Sequence, residues 1–297
     1  MKVFVTGGAG FTGERVVRHL CTEGHSVTCL VRGSTDTGAI QELGVDLVAG
    51  DLDDPAVWSR FAAGHDAIIH VASMGFGHAP AMMEGARKAG VTRVVCTSTT
   101  ALFTNLNARS IAVRTAAETT VMQSGLDWTI MRPTMIYGSH KDRNMCRLIR
   151  LVDRWPVVPM LGSGRSFQQP IHVDDVAQFL VAAAGEPQSS GTALNISGAD
   201  PLDFRTVIRT IAKLLGRRRR LLSLPASPIV GALQLSQWLK IPLPLKAEQV
   251  QRLNEDKAFD HDEAAALLGV QPRSFHDGIA PEIEEMQSLG LISARSA

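Results

Sequence analysis

A glycine-rich segment near the amino terminus is the first part of this sequence whose residue types predict chemistry. The string Thr6-Gly7-Gly8-Ala9-Gly10-Phe11-Thr12-Gly13 follows an apolar run and precedes a segment with helical periodicity. Glycines between a strand and a helix allow the backbone to approach a phosphate group at the positive amino-terminal end of the helix. We therefore predict that Gly7, Gly10, Phe11, Thr12 and Gly13 bind the pyrophosphate of a dinucleotide.

The spacing of these glycines resembles that of a known family. Gly7-x-x-Gly10-x-x-Gly13 is similar to the T-G-x-x-G-x-x-G motif of the short-chain dehydrogenase/reductase superfamily, and Arg132-Pro133-x-x-x-Tyr137-Gly138 to the R-P-x-x-V-Y-G motif of its extended, NAD-dependent epimerase/dehydratase-like branch. The resemblance spans most of the chain. It implies that Asp51 and Leu52 hold adenine and that the remaining cofactor contacts come from Val71, Ala72, Ser73, Thr97 and Pro133.

The second predicted strand ends in Leu30-Val31-Arg32, without the acidic residue that holds both ribose hydroxyls of NAD(H). A guanidinium binds phosphate with two parallel hydrogen bonds. We therefore expect Arg32 to bind a 2′-phosphate, so that NADP(H) is preferred and NAD(H) remains possible.

The catalytic Tyr-x-x-x-Lys pair of the resembled family has no counterpart at the expected place. With Glu118 as the acidic residue four positions after the lysine, Arg114 stands at the lysine position and Ser110 at the tyrosine position. A serine hydroxyl is far less acidic than a phenol and arginine stays protonated, so this pair cannot relay a proton in the same way. We expect Arg114 to hold the cofactor ribose, Ser110 to contact substrate, and Thr99 to act as the catalytic hydroxyl.

Two further residues are candidates with an open interpretation. Tyr137 is the chain's only tyrosine and precedes Lys141 by four residues, but Gly138 and Ser139 disfavour the helical turn that would pair them. It is either a proton donor at the cleft or a packing residue where two lobes meet. Arg165, on a glycine-rich loop, either binds the diphosphate of a nucleotide-activated substrate or is solvated.

Alternating strands and helices must position these residues. Apolar runs predict six strands, at Lys2–Thr6, Ser26–Val31, Asp46–Ala49, Ala67–Ala72, Arg93–Thr97 and Trp128–Arg132. Helical spacing predicts helices at Glu14–Glu23, Asp174–Ala184, Phe204–Leu215, Ile229–Leu239, Ala247–Leu253, Glu263–Leu268 and Gly278–Ser288.

This pattern predicts an α/β fold: a Rossmann-type, doubly wound parallel sheet with a smaller, mostly helical carboxyl-terminal substrate lobe. The sheet domain is expected over residues 1–134, with a segment at about 165–198 returning to it. The lobe takes most of residues 135–297.

Charge and composition limit the partners. The net charge is +1, so the chain as a whole has no basic footprint that would favour nucleic acid as a partner. The run from Arg217 to Arg220 precedes an apolar stretch, and a solvated turn is favoured there over contact with a membrane surface. Four cysteines lack metal-ligand spacing, so no metal is expected. A cytoplasmic location is expected because no leader or membrane span is recognised, and a homodimer is left open.

Together these features predict an NAD(P)-dependent oxidoreductase or epimerase/dehydratase-like enzyme that lacks the usual Tyr-x-x-x-Lys pair. Its substrate would be a nucleotide-sugar or a similar small molecule with a carbonyl or hydroxyl group. The alternative is a non-catalytic NADP(H)-binding sensor or regulatory protein, because the same fold carries both roles.

Overall fold

Seven parallel strands form the central sheet of the computed structural model, which describes residues 1–104, 109–225 and 255–294, without the side chains of Arg109, Ser110 and Leu161. In chain order the strands are β1 (Lys2–Thr6), β2 (Ser26–Val31), β3 (Asp46–Ala49), β4 (Ala67–His70), β5 (Arg93–Thr97), β6 (Asp127–Pro133) and β11 (Thr192–Ile196). Their order across the sheet is β3-β2-β1-β4-β5-β6-β11. The direction of winding reverses between β1 and β4, where doubly wound folds place their ligands. The predicted fold class is confirmed.

Helices cover both faces of this sheet because its strands are apolar on both sides. The helices of the nucleotide-binding half are α1 (Phe11–Thr22), α2 (Gly38–Gln41), α3 (Pro55–Phe61), α4 (Ala79–Ala89), α5 (Arg109–Met122) and α7 (Val173–Gly185). On one face Val17 of α1 and Phe179 of α7 pack against Val3 and Val5. On the other face Trp58 and Met82 pack against Phe4, the residue between those valines. The alternation along β1 therefore builds two cores from one strand.

A third core lies beyond the sheet. Its helices are α6 (Met145–Arg154), α8 (Phe204–Leu214) and α10 (Phe275–Ser288), whereas α9 (Asp262–Leu268) packs on α7 and β11 of the sheet. Its short strands are β7 (Ile136–Tyr137), β8 (Val157–Leu161), β9 (Phe167–Gln168), β10 (Ile171–His172), β12 (Leu202–Asp203) and β13 (Arg220–Leu224). They pair as three two-stranded sheets: β10 with β7, β12 with β9, and β13 with β8. This part is more strand-rich than its sequence predicts, and α6 was missed.

Four of the six predicted strands have the observed bounds, while β4 ends two residues before Ala72 and β6 is one residue longer at each end. The predicted helices at 14–23, 174–184, 204–215, 263–268 and 278–288 are present, each beginning within three residues of its predicted start. Those predicted at Ile229–Leu239 and Ala247–Leu253 lie outside the described residues.

A buried carboxyl group joins α10 to the segment after β7. The Oε2 atom of Glu282 accepts a hydrogen bond of 2.9 Å from the backbone N–H of Gly138, and the side chain is almost fully buried. Burial and the nearby Asp142 carboxylate raise the pKa of Glu282 to about 10. Glu282 is therefore protonated at neutral pH, which avoids placing two charges together in an apolar core.

Candidate active site

The glycine-rich turn between β1 and α1 is shaped by close backbone contacts. Gly7 has a φ of +72°, and a Cβ atom there would lie 2.7 Å from the backbone nitrogen of Ala72. At Gly13 a Cβ would collide with the carbonyl oxygen of Gly7. Only glycine satisfies both positions, so these two residues bring β1, α1 and the segment after β4 into contact.

Gly10 has a different surrounding from these two glycines. It is exposed at the start of α1, and a Cβ there would meet only the carbonyl oxygen of Gly7, at 3.1 Å. No side chain caps the amino terminus of this helix. No side chain of the described residues thus engages the first N–H groups of α1, which is the arrangement that binds a phosphate.

A cleft of about 300 Å³ lies at the carboxyl ends of β4, β5 and β6, beside this turn. Its walls come from the turn, from the segments that follow the three strands and from α5. The lining residues are Thr12, Val71, Ser73, Met74, Thr97, Ser98, Thr99, Arg114, Pro133, Thr134 and Ile136. Residues predicted from five separate parts of the sequence therefore share one cleft.

Several polar groups of the cleft have no partner within the described residues. The hydroxyl groups of Thr97 and Ser98 are buried and make no hydrogen bond there. The Oγ1 atom of Thr99 accepts a hydrogen bond of 3.1 Å from the N–H of Ala101, which leaves its own proton free to donate. Since buried polar groups are normally paired, these hydroxyls fit a site that a bound molecule completes.

Arg114 enters the cleft from α5. Its guanidinium packs beside Gly75, where an added Cβ atom would lie 3.3 Å from the arginine Nε. No carboxylate of the described residues lies within ion-pair distance of it. The cleft thus contains a permanent positive charge that no side chain of the described chain neutralises.

A buried ion pair holds α5 against β6. Both carboxylate oxygens of Glu118 accept hydrogen bonds from the Nε of Arg132, at 3.0 and 3.2 Å, and the guanidinium of Arg132 lies 5.4 Å from the centre of the Phe103 ring. The Arg-Pro motif therefore places Arg132 against α5 and Pro133 against the cleft. Glu118, the acidic residue from which the position of Arg114 was predicted, is therefore the ion-pair partner of Arg132 in this motif.

The remaining cofactor candidates lie along the same edge of the sheet. Arg32 follows β2 directly, is exposed, and makes no side-chain contact with the described residues that would neutralise it. Asp51 follows β3 and is exposed, with its Oδ1 accepting a hydrogen bond from the N–H of Asp53. Leu52 is half-buried, and its carbonyl accepts a hydrogen bond from the indole of Trp58. Their roles stay predictions.

Two substrate candidates are not brought to the cleft wall. Arg165 is exposed on the loop between β8 and β9 and does not line the cleft. Ser110 lies in α5, one turn before Arg114, and its side chain is outside the described part of the chain. Sequence reasoning missed Met74, Ser98, Thr134 and Ile136, each of which lies within three residues of a predicted site residue.

Tyr137, for which the sequence left open a role as proton donor or as packing residue, does not line the cleft. The side chain is fully buried in the third core, with its ring centre 5.4 Å from those of His172 and Phe275 and its hydroxyl against Gly278 of α10. Burial raises the pKa of this phenol, and the hydroxyl has no hydrogen-bond partner among the described residues. Lys141 instead lies 3.5 Å from Glu14. Tyr137 is thus packed in the third core, away from the cleft lining, and a catalytic role for it stays a prediction.

Sequence reasoning also missed a buried polar chain beneath the cofactor edge of the sheet. The hydroxyl of Thr6 lies 2.6 Å from Nδ1 of His70, and the Nε2 atoms of His70 and His78 are 2.9 Å apart. Burial lowers the pKa of His70 to about 3, so this ring is neutral at neutral pH. The pair is part of the core. The described residues contain no group of three or more His, Cys, Asp or Glu arranged to hold a metal ion.

Proteins with similar sequences include members of an NAD(P)H-binding family and two reductases. A family described as NAD(P)H-binding matches residues 7–187, more than half of the chain. A ceramide reductase from Caulobacter vibrioides is 33% identical over 242 residues, which cover 77% of this chain and 75% of that protein. A 2-alkyl-3-oxoalkanoate reductase from Stenotrophomonas maltophilia is 24% identical over the full length of both chains.

Solved structures show the same fold. A nucleoside-diphosphate-sugar epimerase from Pseudomonas aeruginosa superimposes with a TM-score of 0.81 at 17% identity, over 99% of each chain. In the described part of this chain no helix is long and apolar enough to cross a membrane. The chain belongs to the NAD(P)H-binding family, with a Rossmann-type fold.

Proposed function

We propose that this protein is an NADPH-dependent reductase that converts a ketone on an apolar small molecule into a secondary alcohol. The observation that carries the proposal is the cleft beside the glycine-rich turn, with the buried hydroxyls of Thr97 and Ser98 and the uncompensated guanidinium of Arg114 in its wall. The two reductases named above, one acting on ceramide and one on 2-alkyl-3-oxoalkanoates by their names, support reduction rather than epimerisation.

The residues that would hold the cofactor lie at the glycine-rich turn and along the carboxyl ends of the strands. The first turn of α1, with Gly10, Phe11 and Thr12, would bind the pyrophosphate, and Asp51 with Leu52 would border the adenine. Val71, Ala72, Ser73 and Pro133 would lie along the rest of the molecule, with Thr97 donating to it. When bound, the nicotinamide supplies the hydride that adds to the carbonyl carbon.

Thr99 and Arg114 are the residues proposed to act on the substrate oxygen. Thr99 can donate a hydrogen bond to the carbonyl oxygen, since its own oxygen accepts one from Ala101 and its hydroxyl hydrogen is not engaged there. The fixed charge of Arg114 would stabilise the negative charge that develops on that oxygen. Since neither group readily loses a proton, water at the open side of the cleft would protonate the alkoxide.

The apolar half of the cleft favours an apolar substrate over a nucleotide-sugar. Val71, Met74, Pro133 and Ile136 form this part of the wall. Phe76, which is 78% exposed, lies two residues beyond Met74 on the same turn. Exposed aromatic residues next to a cleft are typical of binding sites for apolar molecules. Arg165 would have to reach a nucleotide diphosphate from a loop outside the lining.

The proposal is tested by following NADPH absorbance with a panel of long-chain 3-oxo compounds and 4-keto nucleotide-sugars. We expect turnover with the apolar ketones and none with the sugars. Turnover restricted to nucleotide-sugars would reject the proposed substrate class. No turnover at all despite NADPH binding would reject the proposed reductase activity.

We also propose that NADP(H) is preferred over NAD(H) because of Arg32. Replacing Arg32 by alanine should weaken NADPH binding about 10-fold to 100-fold, the value of a charge-assisted hydrogen bond to phosphate. The affinity for NADH should be almost unchanged. Paired titrations of both cofactors measure this ratio. Equal losses for the two cofactors would assign Arg32 to another role.

A non-catalytic dinucleotide sensor is the second candidate. It is favoured by the replacement of the family's tyrosine and lysine by Ser110 and Arg114, and by the burial of Tyr137. Tight NADPH binding together with the absence of hydride transfer to every carbonyl tested would support it.

A further inference from the structure

The two-stranded sheet formed by β8 and β13 has one buried and one exposed face. Val158 and Met160 of β8 point into the third core and are almost fully buried. Alternation along the strand turns Val157 and Pro159 outward, and the parallel register places Arg220 beside Val157 and Leu222 beside Pro159. Val157 is 39% exposed and Leu222 is 50% exposed.

Trp155 extends this exposed apolar face. Its backbone is extended, with φ −106° and ψ 129°, so that its side chain lies on the same side as Val157, two residues further on. The indole is 54% exposed. Trp155, Val157, Pro159 and Leu222 thus form one solvent-facing apolar surface, the "β8 face", far along the chain from every proposed cofactor residue.

Positive charge runs up to this face along α6. Arg147, Arg150 and Arg154 are all exposed and occupy positions i, i+3 and i+7 of the helix. At 100° per residue these positions fall within a sector about 60° wide, so they form one stripe that ends at Trp155. The opposite side of α6, with Ile149 and Val152, is buried in the third core.

The arginine run at 217–220 divides between two roles. Arg217 lies 3.4 Å from Asp153, and the guanidinium of Arg219 donates to the carbonyls of Val152 and Asp153 at the carboxyl end of α6. Arg219 thus caps the carboxyl end of α6, and Arg217 pairs with the side chain of Asp153. Arg218 and Arg220 are exposed and add to the positive charge beside the β8 face, where the carboxylate of Asp153 is already engaged.

We propose that the β8 face and the arginine stripe of α6 dock the protein on a membrane surface that contains anionic phospholipid. Trp155, Val157 and Leu222 would enter the headgroup region, where indole rings are favourable, and the arginines would meet lipid phosphates. A nucleic acid would use the charge but would leave four adjacent apolar side chains in water. Docking through this surface does not depend on the proposed reaction.

The test is flotation of the full chain with vesicles of phosphatidylcholine, with and without phosphatidylglycerol. We expect binding only to vesicles with phosphatidylglycerol, and its loss at high salt. Arg150→Gln combined with Arg154→Gln should weaken binding about 25-fold, the product of two losses of about fivefold each. Trp155→Ala should weaken binding without changing the salt dependence.

Arg18→Gln combined with Arg60→Gln, at exposed arginines of α1 and α3, is the matched control and should bind like the unaltered chain. Unchanged NADPH affinity in every variant shows that the fold is kept. Vesicle binding that is absent, that ignores the anionic lipid, or that survives both sets of changes on the β8 face would overturn the proposal. So would a short DNA duplex that competes with the vesicles for this face.

Discussion

The cleft beside the glycine-rich turn and the core around Tyr137 differ in whether a ligand could reach their polar groups. In the cleft, Thr97, Ser98 and Arg114 have no partners in the described chain, and the start of α1 is uncapped. Around Tyr137, polar groups are buried under α10, where Glu282 binds the backbone of Gly138. Free polar groups at an open cleft predict a ligand, whereas the Tyr137 hydroxyl, unpaired among the described residues, is enclosed by packed elements, where it lowers stability.

This difference separates the two residues that the sequence offered as candidates for catalysis. Thr99 lies in the cleft wall with a proton to donate, and Tyr137 lies among His172, Phe275 and Gly278 with a raised pKa. A residue's chemical type makes it a candidate, but access to the cleft decides whether it can touch a substrate. The following variants test this contrast.

Gly10→Val should have the largest effect. The valine side chain would occupy the space in front of the first turn of α1, where the pyrophosphate is proposed to bind. The loss of hydrogen bonds to the charged pyrophosphate should weaken NADPH binding by at least about 100-fold. Fluorescence titration measures the affinity. Gly185→Val, at the carboxyl end of α7, is the control and should bind normally. Normal affinity in Gly10→Val would place the cofactor elsewhere.

Arg114→Ala should lower kcat/KM by about 100-fold, the usual effect of removing one group that stabilises a developing oxyanion. Arg114→Lys should recover part of this loss because the charge is kept, and Arg60→Ala on α3 should have no effect. Steady-state kinetics with a ketone substrate measure all three. A change in NADPH affinity alone, with kcat intact, would assign Arg114 to the cofactor ribose instead.

Glu282→Gln should change how stability depends on pH. The folded pKa of about 10 is above the ordinary value of 4.5, so the contribution of Glu282 is fully present below pH 4.5 and is lost as the pH rises towards 10. The loss is at most about 1.4 kcal/mol per pH unit. Urea unfolding between these values should show a flatter profile for Glu282→Gln, with unaltered NADPH affinity. Identical profiles would contradict the assignment.

Tyr137→Phe should have the smallest effect. Turnover should stay within a factor of about two, and stability should rise by up to about 1 kcal/mol because an unpaired buried hydroxyl is removed. Kinetics and urea unfolding of the same preparation measure both. Strong loss of turnover without loss of stability would restore Tyr137 as the proton donor.

The sequence predicted the sheet well because its signal is local. β1, β2, β3 and β5 are short, mainly apolar runs bounded by polar residues and glycines, so the local sequence gives their bounds even for β3 at the edge of the sheet. The signal of the glycine-rich turn was equally local, since Gly7 and Gly13 are close in sequence and pack against each other. Arg114 was located through an acidic anchor, Glu118, whose partner is Arg132.

The third core was predicted poorly because its contacts join distant parts of the chain. Tyr137 is buried by Phe275 and Gly278, which follow it by more than a hundred residues, so no nearby pattern indicates its burial. No strand is predicted at 157–161, although β8 pairs with β13 across this segment. Pairing between remote short strands leaves little periodicity to detect.

Transfer of label from NADPH deuterated at the reactive carbon of the nicotinamide tests the proposed hydride transfer in this cleft most directly. Unaltered protein, labelled NADPH and a long-chain 3-oxo compound are incubated, and the alcohol is analysed by mass spectrometry. We expect one deuterium on the carbinol carbon with the unaltered chain and with Tyr137→Phe, and strongly reduced product with Thr99→Ala. Tight NADPH binding with no deuterium in any product would contradict the proposed reaction.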